Sequence, residues 1–113
     1  SLYKLERGMN MDIKKIKEND STIYVLDGRM DTQSSPDIQL KFEEGLNQGE
    51  KKIILDMSKV QYLSSAGLRV ILWLQKKLVA LDNNNFLTLI NVDDEIYEIL
   101  EMTGFTDFLV INP

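Results

Sequence analysis

Residues 52–56, Lys52-Ile53-Ile54-Leu55-Asp56, make a short apolar, β-branched run with charges only at its ends. Such a run reads as a buried central strand. Ahead of it, Ser35-Pro36 offers a hydroxyl N-cap followed by proline at the first helical position. Ile38, Phe42 and Leu46 then recur at i, i+4 and i+8, one face of a helix that stops near Gly49. Further upstream, Thr22-Ile23-Tyr24-Val25-Leu26 is a β-branched and aromatic strand. Strand, helix and strand in so short a passage imply a parallel crossover, which is right-handed as a rule.

Working outward, residues 12–17 hold Ile13 and Ile16 among charges and predict a first strand, joined to the next by the polar loop 18–21 as an antiparallel hairpin. Asp27-Gly28-Arg29-Met30-Asp31 breaks the strand pattern, and residues 57–63 read as a connection. Ser64-Ser65-Ala66-Gly67 opens a second helix running to about Leu81, followed by the turn Asp82-Asn83-Asn84-Asn85 and the strand Phe86-Leu87-Thr88-Leu89-Ile90. Residues 91–94 offer caps for a third helix bearing Ile96, Ile99 and Leu100, closed by Gly104 at C′. Phe108-Leu109-Val110-Ile111 is a last short strand. The expectation is a single α/β domain: an N-terminal hairpin, then alternating helices and strands, giving a mixed, mostly parallel sheet with helices packed on it. It spans residues 11–113. Residues 1–10 read as a tail, native or vector-derived, since Met9 and Met11 each offer a start.

The chain has 113 residues, 43% hydrophobic and 27% charged, enough for one core. Eighteen acidic against thirteen basic residues leave a net charge of −5, which argues against nucleic acid as a partner. Cys and His are both absent, so the usual zinc sites, disulfides, cysteine nucleophiles and Ser–His pairs are excluded. No Gly-x-Ser-x-Gly elbow and no Gly-rich phosphate loop occurs, so an enzyme is not expected, nor is a metal or cofactor. No apolar run approaches the roughly 18 residues of a membrane span, so no direct membrane insertion is expected. A cytoplasmic location is the expectation.

At about 100° per residue, the second helix places Leu68, Ile71, Leu72, Leu74, Leu78 and Val79 on a core-facing arc. Ser65, Arg69, Trp73 and Lys77 form an i, i+4, i+8, i+12 row that should face solvent, and Trp73 is the only tryptophan in the chain. Trp and Arg are the residue types richest in binding hot spots, so this row is a candidate partner surface. The plainer alternative lays Trp73 flat against a neighbouring helix. Ser64 and Ser65 sit where backbone N–H groups lack acceptors and the helix dipole is positive. Either hydroxyl can serve as an N-cap, worth about 1 kcal/mol. Either can also accept a phosphoryl group, adding about −1.5 to −2 charges at an end that favours anions.

Residues 55–70 resemble the motif of STAS domains, in particular the bacterial anti-sigma factor antagonists: Asp56-Met57-Ser58 ending a strand, the aromatic Tyr62, then Ser64-Ser65-Ala66-Gly67-Leu68. Gly28-Arg29-Met30-Asp31 and Leu100-Glu101-Met102-Thr103-Gly104-Phe105 extend the resemblance over nearly everything from about Met11 onward. In that family the phospho-acceptor lies two residues before the motif glycine, which here is Ser65. The resemblance implies that the unphosphorylated protein binds an anti-sigma factor that is also a serine kinase, releasing a sigma factor. Phosphorylation of the acceptor lowers affinity, and a PP2C-like phosphatase resets it. Ser64 stands where many members have Asp, which keeps it as a second candidate acceptor, and Ala66 where many have Ser or Thr. Asp56 and Ser58 match the polar pair at the strand end, whose plainer role is capping the following turn. Asp31 matches an acidic position before the first helix and either meets the partner or caps its own turn. The same domain type also serves as a scaffold in stress-signalling assemblies and as a small subunit of lipid-transport ATPases.

Overall fold

The computed structural model describes residues 2–4, as backbone, and residues 11–113. Strands β1 (Leu2–Lys4), β2 (Met11–Glu18), β3 (Ser21–Met30), β4 (Lys52–Leu63), β5 (Thr88–Ile90) and β6 (Val110–Asn112) lie side by side in chain order in one sheet. β1–β2 and β2–β3 pair antiparallel, and β3 through β6 pair parallel. The parallel steps are bridged by helices α1 (Ser35–Asn47), α2 (Ser65–Leu81) and α3 (Asp94–Met102), with one 3-10 turn at Phe105–Asp107 before β6. The expected order of elements is therefore present. Leu2–Lys4 adds a strand in a stretch for which no element was expected.

Period-two alternation builds the hairpin. Met11 and Ile13 on β2, and Tyr24, Leu26 and Met30 on β3, are buried while intervening positions are less covered. The turn is tighter than the expected four-residue loop: Glu18 pairs with Ser21, leaving Asn19 and Asp20, and Asn19 takes the left-handed conformation (φ 56°) that Asn tolerates.

Both long strands run past the points where the sequence pattern breaks. β3 continues through Asp27-Gly28-Arg29-Met30, with Asp27 and Arg29 exposed and Gly28 and Met30 buried. β4 continues through residues 57–63, read from sequence as a connection. The β3–β4 register shifts between Val25 and Asp27 and again between Gly28 and Arg29. Such bulges disturb strict alternation, so Met57, Val60 and Leu63 point inward at intervals of three. β5 and β6 are shorter or later than expected, beginning at Thr88 and Val110, and Phe86 and Phe108 lie outside them, exposed.

The core joins Ile53, Leu55 and Met57 of the central strand to Ile38 and Phe42 of α1, Val70, Ile71, Leu74 and Leu78 of α2, and Ile96 and Leu100 of α3. The buried arc of α2 is rotated from the expected one. Val70 and Gln75 are buried, whereas Leu68, Leu72 and Val79 are only half covered. Gln75 is drawn inward because its Oε1 accepts the Leu87 N–H at 2.7 Å, satisfying a backbone donor just ahead of β5.

Candidate functional site

The carboxyl ends of β3 and β4 and the first turns of α1 and α2 meet at one end of the sheet. Ser64 follows β4 in extended conformation (φ −87°, ψ 172°) and caps α2, its Oγ accepting the Gly67 N–H at 3.2 Å. Its own N–H donates to the Met30 carbonyl at 2.9 Å, tying the start of α2 to the end of β3. Gly67 permits that approach: a Cβ there would lie 2.9 Å from the Met30 carbonyl oxygen and 2.8 Å from Leu63 Cδ1. Leu68 is half-buried against the core.

The two adjacent serines are thereby separated in kind. Ser64 is half-covered and its hydroxyl is engaged. Ser65, the first residue of α2, is exposed, and its hydroxyl makes no hydrogen bond among the described residues. It stands at the positive end of a 17-residue helix with no acidic residue in its first turn.

Asp31 leads from β3 into α1. Its Oδ1 accepts the N–H groups of Gln33 (3.1 Å) and Ser34 (2.9 Å), and Arg29 Nε lies 3.8 Å from Oδ2. The Ser34 amide is the main reason its carboxyl sits below the usual range; partial burial opposes this, and Arg29 adds to the lowering. The helix that follows departs from the expected capping. Ser34, not Ser35, precedes α1, in helical conformation and without a side-chain cap. Its hydroxyl donates to the Arg29 carbonyl at 2.7 Å, and that of Ser35 donates to the Asp31 carbonyl at 2.5 Å. Both serines therefore fix the β3–α1 turn.

Asp56 is likewise engaged: its Oδ1 accepts the Ser58 N–H at 3.0 Å and the Asn91 side-chain amide at 3.1 Å. Partial burial pushes its pKa up, and these hydrogen bonds outweigh that and hold it low. Ser58 is exposed. Asp56, through Asn91, ties β4 to the loop after β5.

Along α2, Arg69 and Lys77 are exposed as expected. Trp73 is not on an open face: it is half-buried against the core margin and lines a groove with Glu43 and Leu46 of α1, with Lys77 Nζ 5.9 Å from its ring centroid. Of the row of four, Ser65, Arg69 and Lys77 are exposed and only Trp73 is half-buried. Between the first turns of α1 and α2 runs a groove of about 500 Å3 lined by Ser35, Pro36, Leu40, Ala66, Arg69 and Val70, among others.

Sequence reasoning missed Arg29 and Tyr62 as partners. They are register neighbours on β3 and β4, and the guanidinium stacks over the ring at 4.2 Å. The pair is visible only once both strands are extended beyond their apolar segments. Among the described residues no three carboxylates converge where a metal ion would sit, and no helix is long and apolar enough to cross a membrane.

The STAS domain family model matches residues 10–113. The chain belongs to the STAS domain family. BtrV of Bordetella bronchiseptica is 29% identical over 83 residues, covering 74% of this chain and 70% of that one. An anti-sigma-B factor antagonist of Staphylococcus epidermidis is 24% identical over 104 residues, covering 92% and 94%. The same STAS fold is seen in the crystal structure of an anti-sigma factor antagonist from Mycobacterium paratuberculosis (TM-score 0.83, 15% identity, 96% and 91% covered). It also recurs in the Bacillus cell fate determinant SpoIIAA in its phosphorylated form (TM-score 0.69, 16% identity, 89% and 91% covered).

Proposed function

We propose that this STAS domain is an anti-sigma factor antagonist, non-catalytic itself, whose unphosphorylated form binds an anti-sigma factor serine kinase and frees a sigma factor. Phosphorylation of Ser65 switches it off. The observation that carries this reading is the division of labour between the serines: the cap is supplied by Ser64, which leaves the Ser65 hydroxyl exposed and without a hydrogen-bond partner among the described residues. The names of the S. epidermidis antagonist and the phosphorylated SpoIIAA structure support it.

In the proposed step the Ser65 Oγ attacks the γ-phosphorus of ATP held by the kinase. An O–P bond forms, the bond from the γ-phosphorus to the β,γ-bridging oxygen breaks, ADP leaves, and the hydroxyl proton passes to a base of the kinase. A PP2C-like phosphatase reverses the state by hydrolysis, water supplying the oxygen of the released phosphate. A hydrated dianion at a docking surface opposes association unless the partner supplies matching cations. Asp31, Ser64, Arg69, Trp73 and Lys77 complete the proposed contact surface.

Intact-mass measurement tests the switch. Incubation with ATP and each anti-sigma serine kinase of the source cell should add about 80 Da, and the gain should vanish in Ser65→Ala while persisting in Ser64→Ala. No gain with any of them would favour a scaffold or transport-subunit role instead.

A further inference from the structure

The cations of α2 are unevenly matched. The helix carries Arg69, Lys76 and Lys77 and no acidic residue, in a chain of net charge −5. Lys77 shares its groove with Glu43, and Lys76 lines a groove that also holds Asp107. Arg69 is different: it is the one charged residue lining the groove between the first turns of α1 and α2, and it has no ion pair among the described residues. The rest of that lining is apolar or neutral, including Pro36, Leu40 and Val70. Nearby, Asp31 is held by the Gln33 and Ser34 amides with Arg29 alongside.

Ser65 and Arg69 are four residues apart on the helix, so their side chains lie on one face a single turn apart. A long helical side chain leans towards the N-terminus, so Arg69 is directed towards the turn that holds Ser65 and Ala66, and it shares the groove lining with Ala66. Planar guanidinium groups bind phosphate by paired N–H donors.

Resting on the Ser65 reading, we infer that Arg69 is the residue through which the phosphoryl group is read. In the unmodified protein its guanidinium receives a carboxylate of the kinase, whose apolar flank lies on Pro36 and Leu40. In the modified protein the phosphate on Ser65 takes the guanidinium for itself. The partner then loses its ion pair as well as meeting a new dianion. One cation serving two rival anions makes the switch sharper than repulsion alone.

The test uses the full chain with phosphoserine genetically encoded at position 65, so it does not depend on any kinase. The phosphate's second ionisation is followed by 31P NMR. Arg69→Gln should raise that pKa by roughly 0.15–0.4 pH unit, from the worth of an i,i+4 ion pair, and Arg69→Lys should restore part of the shift. Identical titrations in the native and Arg69→Gln chains would overturn the capture. With the kinase identified by mass gain, Arg69→Gln should weaken binding of the unmodified chain about thirtyfold or more, the mark of one hot-spot residue. It should also narrow the affinity ratio between unmodified and phosphorylated forms, and an unaltered ratio would overturn the shared role. A kinase that never modifies Ser65 sinks the functional reading but leaves the titration result standing.

Discussion

Gly67, Ser64 and Ser65 sit within four residues and do three different jobs. A methyl group at 67 would press on the Met30 carbonyl, which is backbone and cannot swing aside. Gly67→Ala should therefore lower stability by about 1–3 kcal/mol through overpacking, in spite of alanine's better helix propensity. Urea denaturation reads this directly, and a variant as stable as the native chain would mean the α2–β3 approach relaxes freely. The serines should behave oppositely to one another. Ser64→Ala removes the cap and should cost about 1 kcal/mol while leaving the Ser65 hydroxyl in place. Ser65→Ala removes a hydroxyl with no hydrogen-bond partner among the described residues and should leave the denaturation midpoint nearly unchanged. The sequence alone leaves both serines open to either role, because capping depends on which residue is extended and which is the first in the helix.

Glu50 ties three elements together at the far end of the sheet. It follows Gly49 in the turn from α1 to β4 and is buried, with Lys15 (2.6 Å) and Lys17 (2.8 Å) of β2 on its Oε2. Tyr24 of β3 donates its hydroxyl to Oε1, and its ring meets Phe42 of α1 edge-on at 5.0 Å. Gly45 of α1 leaves room, since a side chain there would collide with the Glu50 carboxylate and the Tyr24 hydroxyl. Burial raises the Glu50 pKa, but the hydrogen bonds from Lys15, Lys17 and Tyr24 outweigh it and leave the group below its ordinary 4.5. A depressed folded-state pKa contributes stability that is complete above the unfolded value and lost as pH falls through the folded one. Glu50→Gln should cost about 1–3 kcal/mol at neutral pH, because the buried carboxylate's ion pairs with Lys15 and Lys17 are lost. Denaturation curves at a series of pH values should show the gap between native and variant closing below about pH 4.5, near the unfolded Glu pKa. A gap constant down to pH 2 would show that the carboxylate charge contributes nothing. None of this is legible in the sequence, where Glu50 stands between Gly49 and Lys51-Lys52 and reads as a solvated charge. What the sequence does reveal at this scale is alternation and capping: the hairpin, the crossover through α1 and the start of α2. It hides the far halves of β3 and β4, where register shifts break the alternation, and with them the Arg29–Tyr62 stack. It also leaves Trp73 open between solvent and a neighbouring helix, and gives no sign of Gln75, which is buried by a hydrogen bond that polarity along a helix does not reveal.

At the scale of the whole molecule, the site sits on a surface that the core does not need. Ile71, Leu74 and Leu78 are fully buried on the opposite side of the helix that begins with Ser65, and the capping bond at Ser64 does not involve the Ser65 hydroxyl. A dianion at position 65 therefore meets the positive end of α2 without disturbing packing, and an anion in that first turn stabilises a helix by about 0.3–1 kcal/mol. For a domain of this size that corresponds to a rise of roughly 1–6 °C in melting temperature. The phosphoserine-65 chain should thus melt as a single transition at or slightly above the unmodified protein. Its amide NMR shifts should move for residues around 29–39 and 63–70 and stay put around Glu50 and in α3. A fall of several degrees, or shift changes spread through the sheet, would mean that the switch works by loosening the fold. The expected pattern instead locates the change in what the surface presents to a partner: the same sheet and helices, with the charge at the head of α2 reversed.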